Sequence, residues 1–429
     1  MNLTSYPRLA ESLYTHTLPN GLRIRVVPKK DFARKYAFLA VDFGSIDTKF
    51  SFAGEDYSLP AGIAHYLKHK MFDLPDVDAN ARFAELGASA NAFTSYSMTA
   101  YHFSCTENFP EALELLLRMV TIPYFTEESV EKERGIIEQE ICMYEDNPES
   151  CVYEDLFRIL FPKHPASIPI AGSAESISHI TAEMLYDCHK AFYTPANMIL
   201  TVAGDVDPTE ILSLAEKFTP APKVPLPLRD HGDPSGPTEA VSCSNTMTVS
   251  MPTFAMAFRC PPVQPGAETM KRELIGELAS EILGGESSPL FARLYREGLI
   301  DASFSVGYES IKDLCLLSMG GDSDDPQAVY EALLEEGQRI AKEGFDEDWF
   351  HRLLRSSLGR RMRDLDSFSN ICYRICAYEF DEFPYFTFPE AYVGITPKDV
   401  QDFLGQCIHR ECSALSLIYP KEESNETYP

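Results

Sequence analysis

The sequence predicts an α+β fold in two similar halves, and three observations lead there. Short apolar strand patterns at 22–28 (LRIRVVP), 37–43 (AFLAVDF) and 198–204 (MILTVAG) alternate with longer helical stretches. Proline supplies six of the nineteen residues from Thr219 to Pro237, which marks a linker near the middle of the chain. A helix-to-strand unit also recurs at a fixed offset of 215. Ile180-Thr181 opens a helix leading to the strand at 197–202, and Ile395-Thr396 opens another leading to 412–417. The expected boundaries are an N-terminal domain over 1–218, a linker over 219–237 and a C-terminal domain over 238–429.

The composition supports packed cores and excludes some partners. Of 429 residues, 45% are hydrophobic and 11% aromatic, which is incompatible with a disordered chain. Lys+Arg 37 against Asp+Glu 65 gives a net charge of −28. Residues 1–215 hold 17 basic and 30 acidic side chains and residues 216–429 hold 20 and 35, so the halves carry −13 and −15. An even negative field repels phosphate, which argues against nucleic acid and anionic membrane and favours basic peptides as partners. The N-terminus lacks a basic stretch followed by an apolar one, and nowhere do about 18 apolar residues run together, so a cytoplasmic protein without membrane segments is expected. The eleven cysteines are odd in number and scattered, Cys372 and Cys376 standing three residues apart rather than two, and read as buried thiols in a reducing compartment.

The first chemically informative element is the run after Pro60, AGIAHYLKHKMF, a helix with proline in its first turn that stops at Asp73-Leu74-Pro75. His65 and His69 are four apart, about 40° around a helix, so both imidazoles point the same way at metal-chelating separation. A second helix follows Thr126, which caps it, and its buried stripe is Val130, Ile137, Ile141 and Tyr144. Glu133 and Glu140, two turns apart, flank that stripe, whereas Glu131 and Glu138 project outward into solvent. With the two histidines, Glu140 completes a His/His/Glu set, the usual protein ligands of a catalytic zinc. The offset of 215 carries residues 64–69 onto Ala279-Ser280-Glu281-Ile282-Leu283-Gly284, so the second half does not repeat this set. Gly284-Gly285 reads as a helix C-terminus rather than a phosphate loop, since no lysine follows in place.

These residues resemble the inverted zinc motif of the pitrilysin/insulinase-type metallopeptidases, the inverzincins. The likeness continues through GASANAFTSYSMTAYHFSCTENF (87–109), VEKERGIIEQEI (130–141), FYTPANMILTVAGDVDP (192–208) and SSPLFARLYREGLIDASFSV (287–306). In detail it is similar to the bacterial cytosolic branch related to mitochondrial processing peptidases. The resemblance implies homologous halves, each of duplicated α/β sandwich units, forming a clamshell chamber. It implies zinc held by His65, His69 and Glu140, with Glu133 behind them. It also implies a strand edge at Asn91, Ala92, Phe93 and Thr94 that receives an extended peptide. Relatives work as pairs, so a homodimer or a heterodimer with a related member is expected.

The chain departs from the family at two places. The family's general base is the glutamate directly before the second histidine, which accepts a proton during attack on the peptide carbonyl and passes it to the leaving amine. Here that position is Lys68, an ammonium at neutral pH that cannot take the proton. At about 4 Å and an effective dielectric near 20, each unit-charge pair is worth roughly 4 kcal/mol, so the exchange also turns against the metal. In the second half, active relatives place an arginine and, seven residues on, a tyrosine; here Tyr295 takes the arginine position and Ala302 or Phe304 the tyrosine position, with Arg296 and Tyr308 nearby at the wrong spacing. The expected function is therefore an inactive or impaired peptide-binding or partner subunit. The alternative is an active zinc-dependent endopeptidase, with another carboxylate such as Glu133 as base, or an engineered inactive form of one.

Overall fold

The computed structural model describes residues 1–220, 222–237 and 239–421; Ala221 of the expected linker lies outside them. The strands in chain order are β1 (Asn2–Tyr6), β2 (Glu11–Thr17), β3 (Arg23–Pro28), β4 (Lys35–Val41), β5 (Lys49–Phe52), β6 (Glu55–Ser58), β7 (Ser89–Thr94), β8 (Thr99–Cys105), β9 (Met198–Gly204), β10 (Leu228–Arg229), β11 (Val241–Met247), β12 (Thr253–Cys260), β13 (Ser305–Ile311), β14 (Leu314–Asp322) and β15 (Ser413–Pro420). They form a seven-stranded sheet ordered β1-β2-β3-β9-β4-β8-β7, a five-stranded sheet ordered β11-β15-β12-β14-β13, and a small sheet β10-β5-β6.

The order β3-β9-β4-β8-β7 and the order β11-β15-β12-β14-β13 are the same plan. In each, one parallel pair (Ile24↔Leu200; Cys243↔Ser416) adjoins antiparallel neighbours (Leu39↔Leu200 and Leu39↔Tyr101; Met256↔Leu415 and Phe258↔Leu317). The offset of 215 holds through the helix Ala182–Phe192 and its counterpart Pro397–Cys407, and through the short 3-10 turns 195–197 and 410–412. Both helices start alike, the hydroxyl of Thr181 or Thr396 accepting from the backbone N–H three residues on. The two halves are homologous mixed α/β structures.

Compactness groups the residues differently from the boundaries drawn along the sequence. One unit comprises 1–141, 169–232 and 359–389, and the other 142–168, 233–358 and 390–429. In the first, one face of the sheet carries an apolar core that includes Leu39, Tyr101 and Phe103. The opposite face carries Phe38, His102 and Phe93, against which Tyr373 of the helix Phe368–Phe380 packs. In the second, the helix Pro148–Leu160 lies on β11, β12 and β15. Each sheet is thus covered by a helix from the other half of the sequence. The linker is also partly structured: β10 pairs with β5, and Arg229 meets Asp42 at 3.0 Å and Asp47 at 3.5 Å. Among the described residues no helix is long and apolar enough to cross a membrane. All eleven cysteines are free; seven are buried, but Cys142 is exposed, contrary to the expectation of uniformly buried thiols.

Candidate metal centre

The histidine helix runs Ile63–Lys70, starting later than its proline suggests. Its N-cap is Gly62 at φ 89°, where a Cβ would collide with the carbonyl oxygen of Ala171, so a glycine is required there. The helix is largely buried and packs on β7 and β8. The glutamate helix runs Glu127–Glu145, and Thr126 caps it reciprocally with Ser129, each backbone N–H donating to the other's hydroxyl (3.1 and 3.3 Å). Its buried stripe is Val130, Ile137 and Ile141; Tyr144, placed in that stripe by its spacing, is 41% exposed because it falls in the last turn, beyond the core. Glu131 projects outward to Arg134, as its spacing indicates.

Two contacts that the sequence did not reveal lock these helices together. The Tyr66 hydroxyl donates to the Val130 carbonyl, and the Lys70 ammonium, 1% exposed, donates to Asp73 and, at 3.2 Å, to the Ser129 carbonyl. A lysine three residues before an aspartate was the only available signal for the second.

The structure brings His65, His69, Glu133, Glu140 and Lys68 together. His65 Nε2 lies 3.4 Å from Glu140 Oε1, and His69 Nε2 lies 3.2 Å from Glu140 Oε2. His69 Nδ1, on the other side of its ring, meets Glu133 Oε1 at 3.1 Å. Burial pushes the His65 pKa down against the opposing bond from Glu140. For His69 burial acts the same way, but the bonds from Glu133 and Glu140 prevail and raise it. The bond to His69 holds the Glu133 carboxyl below its usual range.

One donor atom from each of His65, His69 and Glu140 lies within 4.8 Å of the other two. Two ligands bound at 2.0–2.1 Å to one tetrahedral zinc stand about 3.4 Å apart, close to the 3.4 and 3.2 Å found here. His69 Nε2 is buried without an aligned hydrogen bond. The donor set fits a zinc ion, which when bound would supply Lewis acidity and a water of lowered pKa. Lys68 does not fit the rest of that chemistry. Its Nζ stands 3.1 Å from His65 Nε2, the nitrogen that would face the metal.

All four residues of the expected peptide edge lie on β7, the edge strand of its sheet; Asn91 is exposed, its Oδ1 accepting from the Ala92 N–H at 2.8 Å, while Ala92 is half-buried and packs against the core. Phe93 is instead engaged by Phe38 and Tyr373, both with ring centroids 6.1 Å away, and the Thr94 hydroxyl meets Thr99 at 3.3 Å. Their side chains serve the fold. In the second unit Tyr295 and Arg296 are exposed on the helix Pro289–Glu297, whereas Tyr308 on β13 packs its ring over Gly276 and against Phe403. Its hydroxyl is buried and does not stand in for the missing tyrosine.

Comparison with known proteins places this arrangement. The family model described as insulinase (peptidase family M16) matches residues 51–174, and the one described as the peptidase M16 inactive domain matches 179–357. A curated relative from Bacillus subtilis (strain 168), the uncharacterized zinc protease YmfH, is 35% identical across 97% of this chain and 98% of its own length. An M16-like chain of known structure from Alicyclobacillus acidocaldarius superposes with a TM-score of 0.89 at 29% identity, covering 96% of this chain and 99% of that one. A protease from Helicobacter pylori shares the fold, with a TM-score of 0.82 at 18% identity over 95% of this chain and 99% of that chain.

Proposed function

Because the chain belongs to the insulinase (M16) peptidase family, we propose that it is a peptide-binding or partner subunit whose peptidase centre is disabled. The observation that carries this reading is Lys68, whose ammonium lies against His65 Nε2 where the base should stand. A protonated amine offers no lone pair to a water proton. Glu133 is a poor replacement: it is committed to His69 Nδ1, across the ring from Nε2, and that bond keeps its carboxyl a weak base. It orients an imidazole rather than facing a reacting atom.

The binding half of the reading rests on β7. An edge strand with Asn91 exposed adds an extended peptide through main-chain hydrogen bonds with little demand on sequence. The net charge of −28 favours basic peptides. In this reading residues 1–218 carry the altered zinc motif, 238–429 act as helper, and 219–237 join them. The molecule works in the cytoplasm as a homodimer or with a related chain that keeps its glutamate.

Peptide hydrolysis assayed with zinc present, for the native chain and for Lys68→Glu, tests this. The native chain is expected to show no turnover above background, and the variant measurable turnover. Substantial cleavage by the native chain would refute the disabled-centre reading and favour an active endopeptidase.

A further inference from the structure

We propose that the Lys68 ammonium is the resident cation of the His65/His69/Glu140 donor set and closes it to divalent metal in the native protein. The inference rests on the disabled-centre reading but adds a separate claim, namely what occupies the site. Lys68 Nζ lies 3.1 Å from His65 Nε2, and in the tautomer with its proton on Nδ1 that nitrogen turns its single in-plane lone pair to the ammonium. A nitrogen that accepts from an ammonium cannot also ligate an ion. Residues three apart on a helix are neighbours, so the histidine helix itself sets this contact.

The local charges agree. Glu140 and Glu133 both face the Lys68 amine and offset part of the burial that lowers its pKa. A glutamate at position 68 would instead put a third carboxylate beside the two histidines, an excess of negative charge that a divalent ion corrects. Adding the same ion to the native site would set two cations side by side. Lysine therefore provides within the chain part of the positive charge that these donors otherwise draw from solution. The consequence is a donor cluster able to assemble without metal, in which His65 and Glu140 keep a folding role.

The experiment reads metal content and thermal stability instead of activity. Full-length native protein, Lys68→Met, Lys68→Glu and the double variant Lys68→Met/His69→Ala are exposed to excess zinc and desalted. Zinc per chain is measured by atomic emission, and melting temperature with and without zinc. The native chain is expected to retain under about a tenth of an equivalent and to melt at the same temperature either way. Lys68→Met and Lys68→Glu are each expected to retain about one equivalent and to melt several degrees higher with zinc, and the double variant to retain none. One equivalent held by native protein and lost on His69→Ala would overturn the proposal, and if that protein cleaves no peptide the disabled-centre reading survives alone. Refusal of zinc by folded Lys68→Met and Lys68→Glu, as by the native chain, would overturn it as well, because the ammonium would not be what excludes the ion.

Discussion

Glu133 meets His69 at Nδ1, 3.1 Å away, on the side of the ring opposite the nitrogen that faces Glu140. This fixes the ring's orientation, a service that outer carboxylates perform at metal sites. In a Lys68→Glu background, Glu133→Gln should weaken zinc affinity about 10- to 100-fold while leaving about one equivalent at saturation. Competition with a chromogenic chelator measures it. An unchanged affinity would mean that packing alone sets the ring.

Lys70 shares the histidine helix but points into the protein, 1% exposed, donating to Asp73 and the Ser129 carbonyl. Removing it leaves two half-buried acceptors and a cavity where the lysine stem was packed. Lys70→Ala should cost about 3 kcal/mol in denaturant unfolding. A loss below about 1 kcal/mol would show that water replaces the ammonium freely.

His189, in the last turn of the helix Ala182–Phe192, is buried, with Nε2 3.0 Å from the Val120 carbonyl. Burial pushes its pKa from 6.5 down to about 4, so the neutral ring is the folded form. The unfolded chain binds the proton more readily. The stabilisation is therefore complete above about pH 6.5 and lost as pH falls from there toward 4, amounting to about 2 kcal/mol between pH 7 and 5. His189→Gln should remove that share of the acid sensitivity in paired unfolding curves, and equal pH slopes would contradict the assignment.

The β7 edge offers a direct test of peptide addition. Ala92→Pro deletes the N–H that Asn91 Oδ1 now accepts, at a strand position where proline is tolerated. Basic extended peptides should bind about tenfold more weakly to the variant in fluorescence anisotropy, with the melting temperature changed by only a few degrees. Equal affinity would place the peptide elsewhere.

Much of this site was legible because helix periodicity is local. The four-residue step from His65 to His69 and the seven-residue step from Glu133 to Glu140 put the right groups together, and the offset of 215 located the helix and strand that close each half. What stayed hidden depended on the third dimension. Asn91 and Phe93 share one face of β7, yet the helix Phe368–Phe380, from far along the chain, draws Phe93 into an aromatic cluster while Asn91 stays exposed. Tyr144 keeps the helical spacing of the buried stripe but outruns the core that would bury it. The three-residue step from His65 to Lys68 places the two on one helix face, but only the side-chain conformation brings Nζ to Nε2.

The reciprocal assignment of the helices Pro148–Leu160 and Phe368–Phe380 has a bearing on how such a gene can be divided. A break in the proline-rich segment yields one polypeptide whose seven-stranded sheet has lost the cover of Ile371, Cys372, Ile375 and Cys376. It yields another whose five-stranded sheet has lost Val152, Leu156 and Leu160. Neither fragment covers both faces of its own sheet. A chain broken there would leave an apolar sheet face open on each product until the two reassociate.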